Sequence, residues 1–367
     1  MYISSLHLKY FRNYIQGDFY FDKEKNIIFG NNGHGKTNLL EAIYYMSTTK
    51  SHRGVDDEEM IMLKESFANI DCHVQINDEK IKFSSVIHKK GKSLSIRNLP
   101  VKKVSEYIGK INAVLFSPTD MYLFDSSPSY RRKTVDLELG KMSEMYINQL
   151  NIYNKLLKER NAFLKQGIED KSLLDSITQQ MIKPQIQIIK KRKLFIDQLN
   201  MRVDKYYKMI SDSSENISIN YQSMMEFNSN EEELEKNIIR KYETSLERDY
   251  NLRQTNVGIH REDIEFMISN QSVVAFASQG QKRMIVVALK LALVEIVYEY
   301  TSEYPILLLD DVLSELDISR RNRMIEIIPK EIQTIITSTN KEDIMSDLLK
   351  NAKILEIEKG RLKNGER

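Results

Sequence analysis

The sequence predicts an α/β fold in which a sheet-based domain is split by a largely helical insertion. Three observations carry this. A short apolar run, Lys25-Asn26-Ile27-Ile28-Phe29, enters a glycine-rich loop, Gly30 to Thr37, which leads into apolar residues at helical spacing (Leu39, Leu40, Ala42, Ile43, Tyr44). A second apolar strand, Pro305-Ile306-Leu307-Leu308-Leu309, lies far along the chain and ends in Asp310-Asp311. Between them, residues from about 129 to 250 carry apolar side chains with a helical period.

The loop Gly30-Asn31-Asn32-Gly33-His34-Gly35-Lys36-Thr37 fits the phosphate-cradling pattern G-x-x-x-x-G-K-[ST]. Chance produces this pattern in a chain of such length on the order of one per cent of the time, and the strand and helix flanks lower that further. Glycines let the backbone wrap phosphate oxygens, and the N–H groups of residues 30–35 with the following helix start supply positive potential. Lys36 is placed for the β- and γ-phosphates and the Thr37 hydroxyl for Mg²⁺, so the residues read as a site for a nucleotide and Mg²⁺.

With 367 residues, 41% of them hydrophobic, the chain can form two or three cored units. A net charge of +2 is far from that of a protein coating nucleic acid, so DNA contact requires a local patch. The single cysteine, Cys72, forms no disulfide within the chain and fits a reducing compartment. The start, Met1 to Leu6, shows no signal-peptide pattern, and the apolar run from Met284 to Val297 is broken by Lys290 and Glu295. The expectation is a soluble, cytoplasmic protein without a membrane partner.

Residues 1–116 form the expected first lobe. Ile3, Leu6 and Leu8, then Phe19 and Phe21, alternate as strands, and Arg12 lies between them. Arg12 is open to two readings, a surface cation at a turn or a guanidinium near the nucleotide phosphates. The cluster Asp56-Asp57-Glu58-Glu59 reads as a solvated face rather than a metal site. Residues 69–99 read as an antiparallel meander turning at Asn77-Asp78 and Lys89-Lys90-Gly91-Lys92. Breaks at Ser117-Pro118 and Ser127-Pro128 open a helical lid or arm over residues 117–254, expected as a hairpin divided at Gly167 and interrupted at Pro184. Its basic runs, Arg131-Arg132-Lys133 and Lys190 to Lys193, read either as solvated helix faces or as contacts to a phosphate backbone.

The second lobe is expected over residues 255–367. Val273 to Phe276 reads as a strand leading into Ser278-Gln279-Gly280-Gln281 and an apolar helix. Ser278 and Gln281 have capping-box spacing. Gly280 inside a first helical turn points instead to a close backbone approach, and a hydroxyl with free N–H groups makes an anion site. Asp310 is the expected Mg²⁺ holder, and Asp311 is placed to orient or deprotonate the attacking water. Further strands are expected at 332–336 and 352–357. A P-loop, a helical insertion, a helix-start serine motif and then an acidic strand is an order that resembles the ABC ATPase head, where the serine motif of one subunit closes on the nucleotide of the other.

A closer resemblance extends over essentially the whole chain. Phe11-Arg12-Asn13-Tyr14, the P-loop through Glu41, Lys50-Ser51-His52-Arg53, Leu115 to Pro118, Ser127-Pro128 with Arg131, Arg132 and Asp136, Ser278 to Gln281, and Leu307 to Val312 with Ser314 to Asp317 together resemble the RecF family of bacterial recombination mediators. The resemblance implies an ABC-type, SMC-like head with a helical lid that dimerises on ATP and is a weak, DNA-stimulated ATPase. It implies binding to double-stranded DNA or gap junctions without sequence preference, work with RecR and RecO to load RecA, and a part in DNA replication, repair of DNA damage and the SOS response. It places ATP on Gly33, Gly35, Lys36 and Thr37, Mg²⁺ on Asp310, hydrolysis on Asp311, and Ser278 with Gly280 across the dimer. Two stretches depart from the family pattern, Gly258-Ile259-His260-Arg261-Glu262-Asp263 and Lys282-Arg283. A diverged paralogue with other partners is therefore the alternative, and a small-molecule P-loop phosphotransferase, which leaves the Ser278 motif unexplained, is a more distant one.

Overall fold

Alternation of apolar and polar residues at the N-terminus yields the first strands of a computed structural model that describes residues 1–167, 170–224, 230–340 and 351–363. In chain order these are β1 (Tyr2–Phe11), β2 (Tyr14–Tyr20) and β3 (Lys25–Phe29), followed by helix α1 (Lys36–Thr48). Next come β4 (Phe67–Ile76), β5 (Glu79–His88), β6 (Gly91–Ile96), β7 (Leu99–Pro100), α2 (Val104–Tyr107) and β8 (Ala113–Phe116). The helical stretch holds α3 (Tyr122–Asp125), α4 (Pro128–Met142), α5 (Glu144–Gln166) and α6 (Lys171–Ser211), then β9 (Ile217–Gln222) and α7 (Glu231–Leu252). The rest comprises β10 (Asp263–Ile268), β11 (Gln271–Ser272), α8 (Val273–Phe276), α9 (Gln279–Thr301), β12 (Ile306–Asp310), α10 (Ile318–Ile327), β13 (Thr334–Ser338), β14 (Lys353–Glu358) and β15 (Arg361–Leu362).

The expected meander is present. Its antiparallel sheet has the order β2-β1-β4-β5-β6-β7, with tight turns at Asn77-Asp78 and Lys89-Lys90. A second sheet, β15-β14-β3-β13-β12-β8, is parallel from β14 to β8. Strand β13 separates the P-loop strand β3 from the acidic strand β12, and its register sets Ser338 beside Phe29 and Thr337 beside Asp310. Strands β8, β12 and β13 are buried along their whole length, as a sheet covered on both faces requires. Helices α1 and α9 are correspondingly apolar nearly all round.

The chain forms two compact units, one of residues 1–121, 202–214 and 279–367, the other of residues 122–201 and 215–278. This division differs from boundaries at 116/117 and 254/255. The last turns of α6 belong with the sheet-based unit because Arg202 bonds Glu295 of α9 at 3.2 Å and Tyr206 bonds the same carboxylate. Residues 255–278 belong with the helices because β10 pairs with β9 and Asp263 takes a two-point bond from Arg131 at 2.7 and 2.8 Å.

Two local expectations are corrected. Helix α6 runs through Pro184 without a break. Met181, Ile182, Gln185, Ile186, Ile188 and Ile189 are all buried around it, and this packing outweighs the roughly 3 kcal/mol that proline costs inside a helix. Val273 to Phe276 is a helical turn rather than a strand. Four apolar residues in a row fit either state, and the edge of β10 is already occupied by β11.

Arg131 and Arg192 of the basic runs are drawn into ion pairs, while Lys133 and Lys190 remain exposed. Arg131 is held by Asp263, Arg132 donates to the Glu262 carbonyl, Lys190 pairs with Glu231 and Lys193 with Asp197. Arg192, 2% exposed, binds Asp136 in two-point fashion and donates to the Ile259 carbonyl at 2.9 Å. Glu262, one of the residues at which the chain departs from the family pattern, lies 3.5 Å from the same guanidinium and accepts from Ser223 at 2.7 Å. His260 is half-buried against Tyr153, and desolvation lowers it to about 4, so the ring is neutral at physiological pH. Arg131, Arg192, Asp136, Glu262 and Asp263 form a polar cluster within the helical unit.

Candidate nucleotide site

The P-loop connects buried β3 to α1, and its carbonyls are held from the protein side. Lys36 Nζ donates to the Gly30 carbonyl at 2.7 Å and lies 3.4 Å from that of Asn31. The His34 carbonyl accepts from Asn13 Nδ2 at 3.2 Å and from the Gly360 N–H at 2.9 Å, and the Gly35 carbonyl accepts from the Tyr14 hydroxyl at 2.9 Å. Occupied carbonyls leave the positive ends of the loop's peptide dipoles for an anion. Gly35 caps α1 at φ 113, and a Cβ there would stand 2.9 Å from both the Tyr14 hydroxyl and Asn13 Nδ2. Glycine is thus required by conformation and by space. Asn31, Asn32 and Gly33 are exposed.

Across β13 the acidic strand completes the site. Asp310 Oδ1 accepts from the Thr37 hydroxyl at 2.9 Å and from the Thr337 hydroxyl at 3.0 Å. Burial raises the Asp310 carboxyl above its ordinary value. The two hydroxyl bonds oppose the rise and the Asp311 charge adds to it. Asp311 sits in the left-handed region at φ 53, its N–H donating to Thr337 Oγ1 at 2.9 Å. Its Oδ1 is buried with no hydrogen-bond partner among the described residues. An orphaned buried carboxylate oxygen beside a hydroxyl and a second carboxylate is a hard-oxygen donor set suited to Mg²⁺, which binds through one or two protein oxygens together with phosphates. The residues therefore fit a Mg²⁺-nucleotide.

Arg12 does not join Lys36 and Thr37. Its Nε and Nη2 hold the carboxylate of Glu41 at 2.8 and 2.7 Å, and its Nη1 donates to the Glu59 carbonyl at 2.8 Å. Glu41, wholly buried in α1, also accepts from the Ser51 hydroxyl and lies 4.0 Å from Arg53 Nε. Burial pushes its carboxyl up. The bonds from Arg12 and Ser51 and the charges of Arg12 and Arg53 outweigh that and hold it below the ordinary value. Arg12 lies at the β1–β2 turn, as the first reading has it, and there its guanidinium anchors that turn to α1. Asp57 pairs with Lys92 at 2.8 Å and Glu58 with Lys89 at 3.9 Å, so the acidic cluster ties to the meander.

Ser278 ends one compact unit and Gln279 opens α9 in the other, with Ser278, Gln279 and Gly280 exposed. Four contributors went unforeseen: Asn13, Tyr14, Gly360 and Thr337. Asn13 and Tyr14 stand beside Arg12 in the motif already singled out, and Thr337 ends an expected strand. Only their partners were invisible, because those contacts join distant stretches.

Comparison with known proteins agrees with this geometry. Residues 2–121 match the family model of the RecF/RecN/SMC N-terminal domain. The chain is 38% identical to the DNA replication and repair protein RecF of Halalkalibacterium halodurans, over 99% of both chains. It is 39% identical to that of Lachnoclostridium phytofermentans, over 100% of both. A solved structure of the recombination mediator RecF of the RecFOR pathway with ATP superposes with a TM-score of 0.91 at 30% identity, covering 99% of this chain and 97% of the other. An Smc head bound to the C-terminal winged-helix domain of ScpA shares the fold alone, with a TM-score of 0.55 at 16% identity. No helix among the described residues is long and apolar enough to cross a membrane. The P-loop, the acidic strand and the helical unit are those of an ABC-type ATPase head, and the chain belongs to the RecF family.

Proposed function

We propose that this chain is an ATP-gated DNA-binding recombination mediator that closes as a homodimer on ATP and reopens on slow hydrolysis. The observation that carries it is the joint placement of Thr37, Asp310 and Asp311, with one buried Asp311 oxygen unpartnered among the described residues, in a chain that aligns end to end with RecF. In this reading the N–H groups of Gly30 to Gly35 and the Lys36 ammonium bind the phosphates, and Thr37 and Asp310 hold Mg²⁺. The bound ion neutralises charge on the β- and γ-phosphates. Asp311 orients the attacking water and takes its proton. Ser278, Gly280 and Gln281 complete the site of a second copy, a role that suits the exposure of Ser278 and Gly280. Arg12 serves the phosphates only indirectly, by fixing α1.

Dimer closure creates the surface that binds double-stranded DNA or gap junctions, with RecR the proposed direct partner and RecO and RecA acting alongside and downstream. Phosphate contacts make this affinity sequence-independent and steeply salt-dependent. The burial and pairing of Arg131 and Arg192 assign those contacts to other, exposed cations. Anisotropy of labelled gapped duplex, with and without Mg-ATP over a salt series, tests the reading. ATP-dependent binding that weakens linearly in log salt supports it; no DNA binding with ATP bound contradicts it.

A further inference from the structure

Strand β13 ends between the P-loop strand and the acidic strand, and its parallel register puts Thr337 directly beside Asp310. The Thr337 side chain is buried, and its hydroxyl meets both acids. It stands 3.0 Å from Asp310 Oδ1 and accepts the Asp311 N–H at 2.9 Å. A hydroxyl has one proton and two lone pairs, so both bonds form together, the proton going to the carboxylate and a lone pair to the amide. The 3.4 Å separation from the Leu309 carbonyl makes that carbonyl the poorer acceptor.

The amide so held belongs to a residue at φ 53 and ψ 15. Side chains other than glycine adopt this left-handed backbone only when their surroundings impose it, and aspartate is among the few that tolerate it. The turn carries the Asp311 side chain out of line with β12 and leaves its Oδ1 buried without a partner among the described residues. The hydroxyl of Thr337 thereby constrains two things at once: which oxygen of Asp310 faces Thr37, and the backbone conformation that aims Asp311.

We propose that Thr337 is a positioning residue for ATP hydrolysis, acting through Asp310 and Asp311 without touching the nucleotide. The inference rests on the hydrolytic role assigned to Asp311. Only a hydroxyl supplies donor and acceptor at this point, so valine, equal in shape, removes the function, and serine retains it.

The test compares Thr337→Val, Thr337→Ser and Asp311→Asn in the full chain, measuring ATP affinity in EDTA and in Mg²⁺, turnover, and the melting temperature. Loss of a hydrogen bond to a charged group predicts turnover about 10- to 100-fold lower for Thr337→Val. Affinity in EDTA should stay within about twofold of wild type, since the hydroxyl contacts no phosphate-binding group, while the gain in affinity on adding Mg²⁺ shrinks. Thr337→Ser should recover turnover to within about threefold. Wild-type turnover in Thr337→Val beside a dead Asp311→Asn overturns the role of Thr337 alone. Equal slowing in the valine and serine variants, or affinity in EDTA falling in step with turnover, also overturns it. Wild-type turnover in Asp311→Asn removes the hydrolytic assignment and this inference with it.

Discussion

Arg12→Met tests the anchor beneath the P-loop helix. The substitution keeps the aliphatic stem and deletes the guanidinium, stranding the carboxylate of Glu41, which is 0% exposed. Removing one partner of a buried ion pair costs about 3–5 kcal/mol. The lower end applies, because Ser51 still donates to Glu41 and Arg53 remains 4.0 Å away. At about 2–4 °C per kcal/mol for a unit of some two hundred residues, the midpoint should fall by about 6–12 °C in calorimetry at pH 7. The double variant Arg12→Met/Glu41→Gln leaves no buried charge and should regain more than half of that loss. The folded Glu41 carboxyl is held below its unfolded value, so its stabilisation is present above the ordinary carboxylate range and lost as pH falls through the lowered one. The gap between wild type and Arg12→Met should therefore narrow on acidification below about pH 4. A drop under about 2 °C, or a double variant no better than the single one, would refute the anchor.

Gly360→Ala places a Cβ 2.4 Å from the Asn13 carbonyl oxygen at φ 74, where glycine is the residue without penalty. It should lower the melting temperature and weaken ATP binding together, since Gly360 also holds the His34 carbonyl; an unchanged affinity would separate the β14–β15 turn from the loop. Asp310→Asn should melt higher than wild type without nucleotide at neutral pH. The raised folded value of Asp310 means that its stability is full below the ordinary carboxylate range and is lost as pH rises through the raised value. The advantage should shrink as pH falls toward the ordinary carboxylate range, and a pH-independent difference would contradict the buried-charge explanation. The same variant should lose the Mg²⁺-dependent part of ATP affinity.

The site was legible where its chemistry is local. Eight consecutive residues specify the P-loop, and a buried apolar strand ending in two acids specifies Asp310 and Asp311, because short stretches determine both conformation and chemistry there. Long-range pairings were not legible. Arg12 and Glu41 lie on different elements, as do Arg131 and Asp263 or Arg192 and Asp136, and a basic run reads as surface when its acids lie far along the chain. Strand β13 was visible as apolar residues, but nothing local placed it between β3 and β12, so the reach of Thr337 stayed hidden. The helix through Pro184 shows tertiary burial overriding local preference.

Light scattering of wild type and Ser278→Arg, with and without Mg-ATP, measures whether a second copy completes the site. Wild type should move from 43.1 kDa to twice that mass when Mg-ATP is added. Ser278→Arg should bind ATP with unchanged affinity and remain at the single-chain mass, because the exposed serine at the head of α9 is blocked. Dimerisation of both proteins alike, or a single-chain mass for wild type saturated with Mg-ATP, would contradict completion of the site by a second copy.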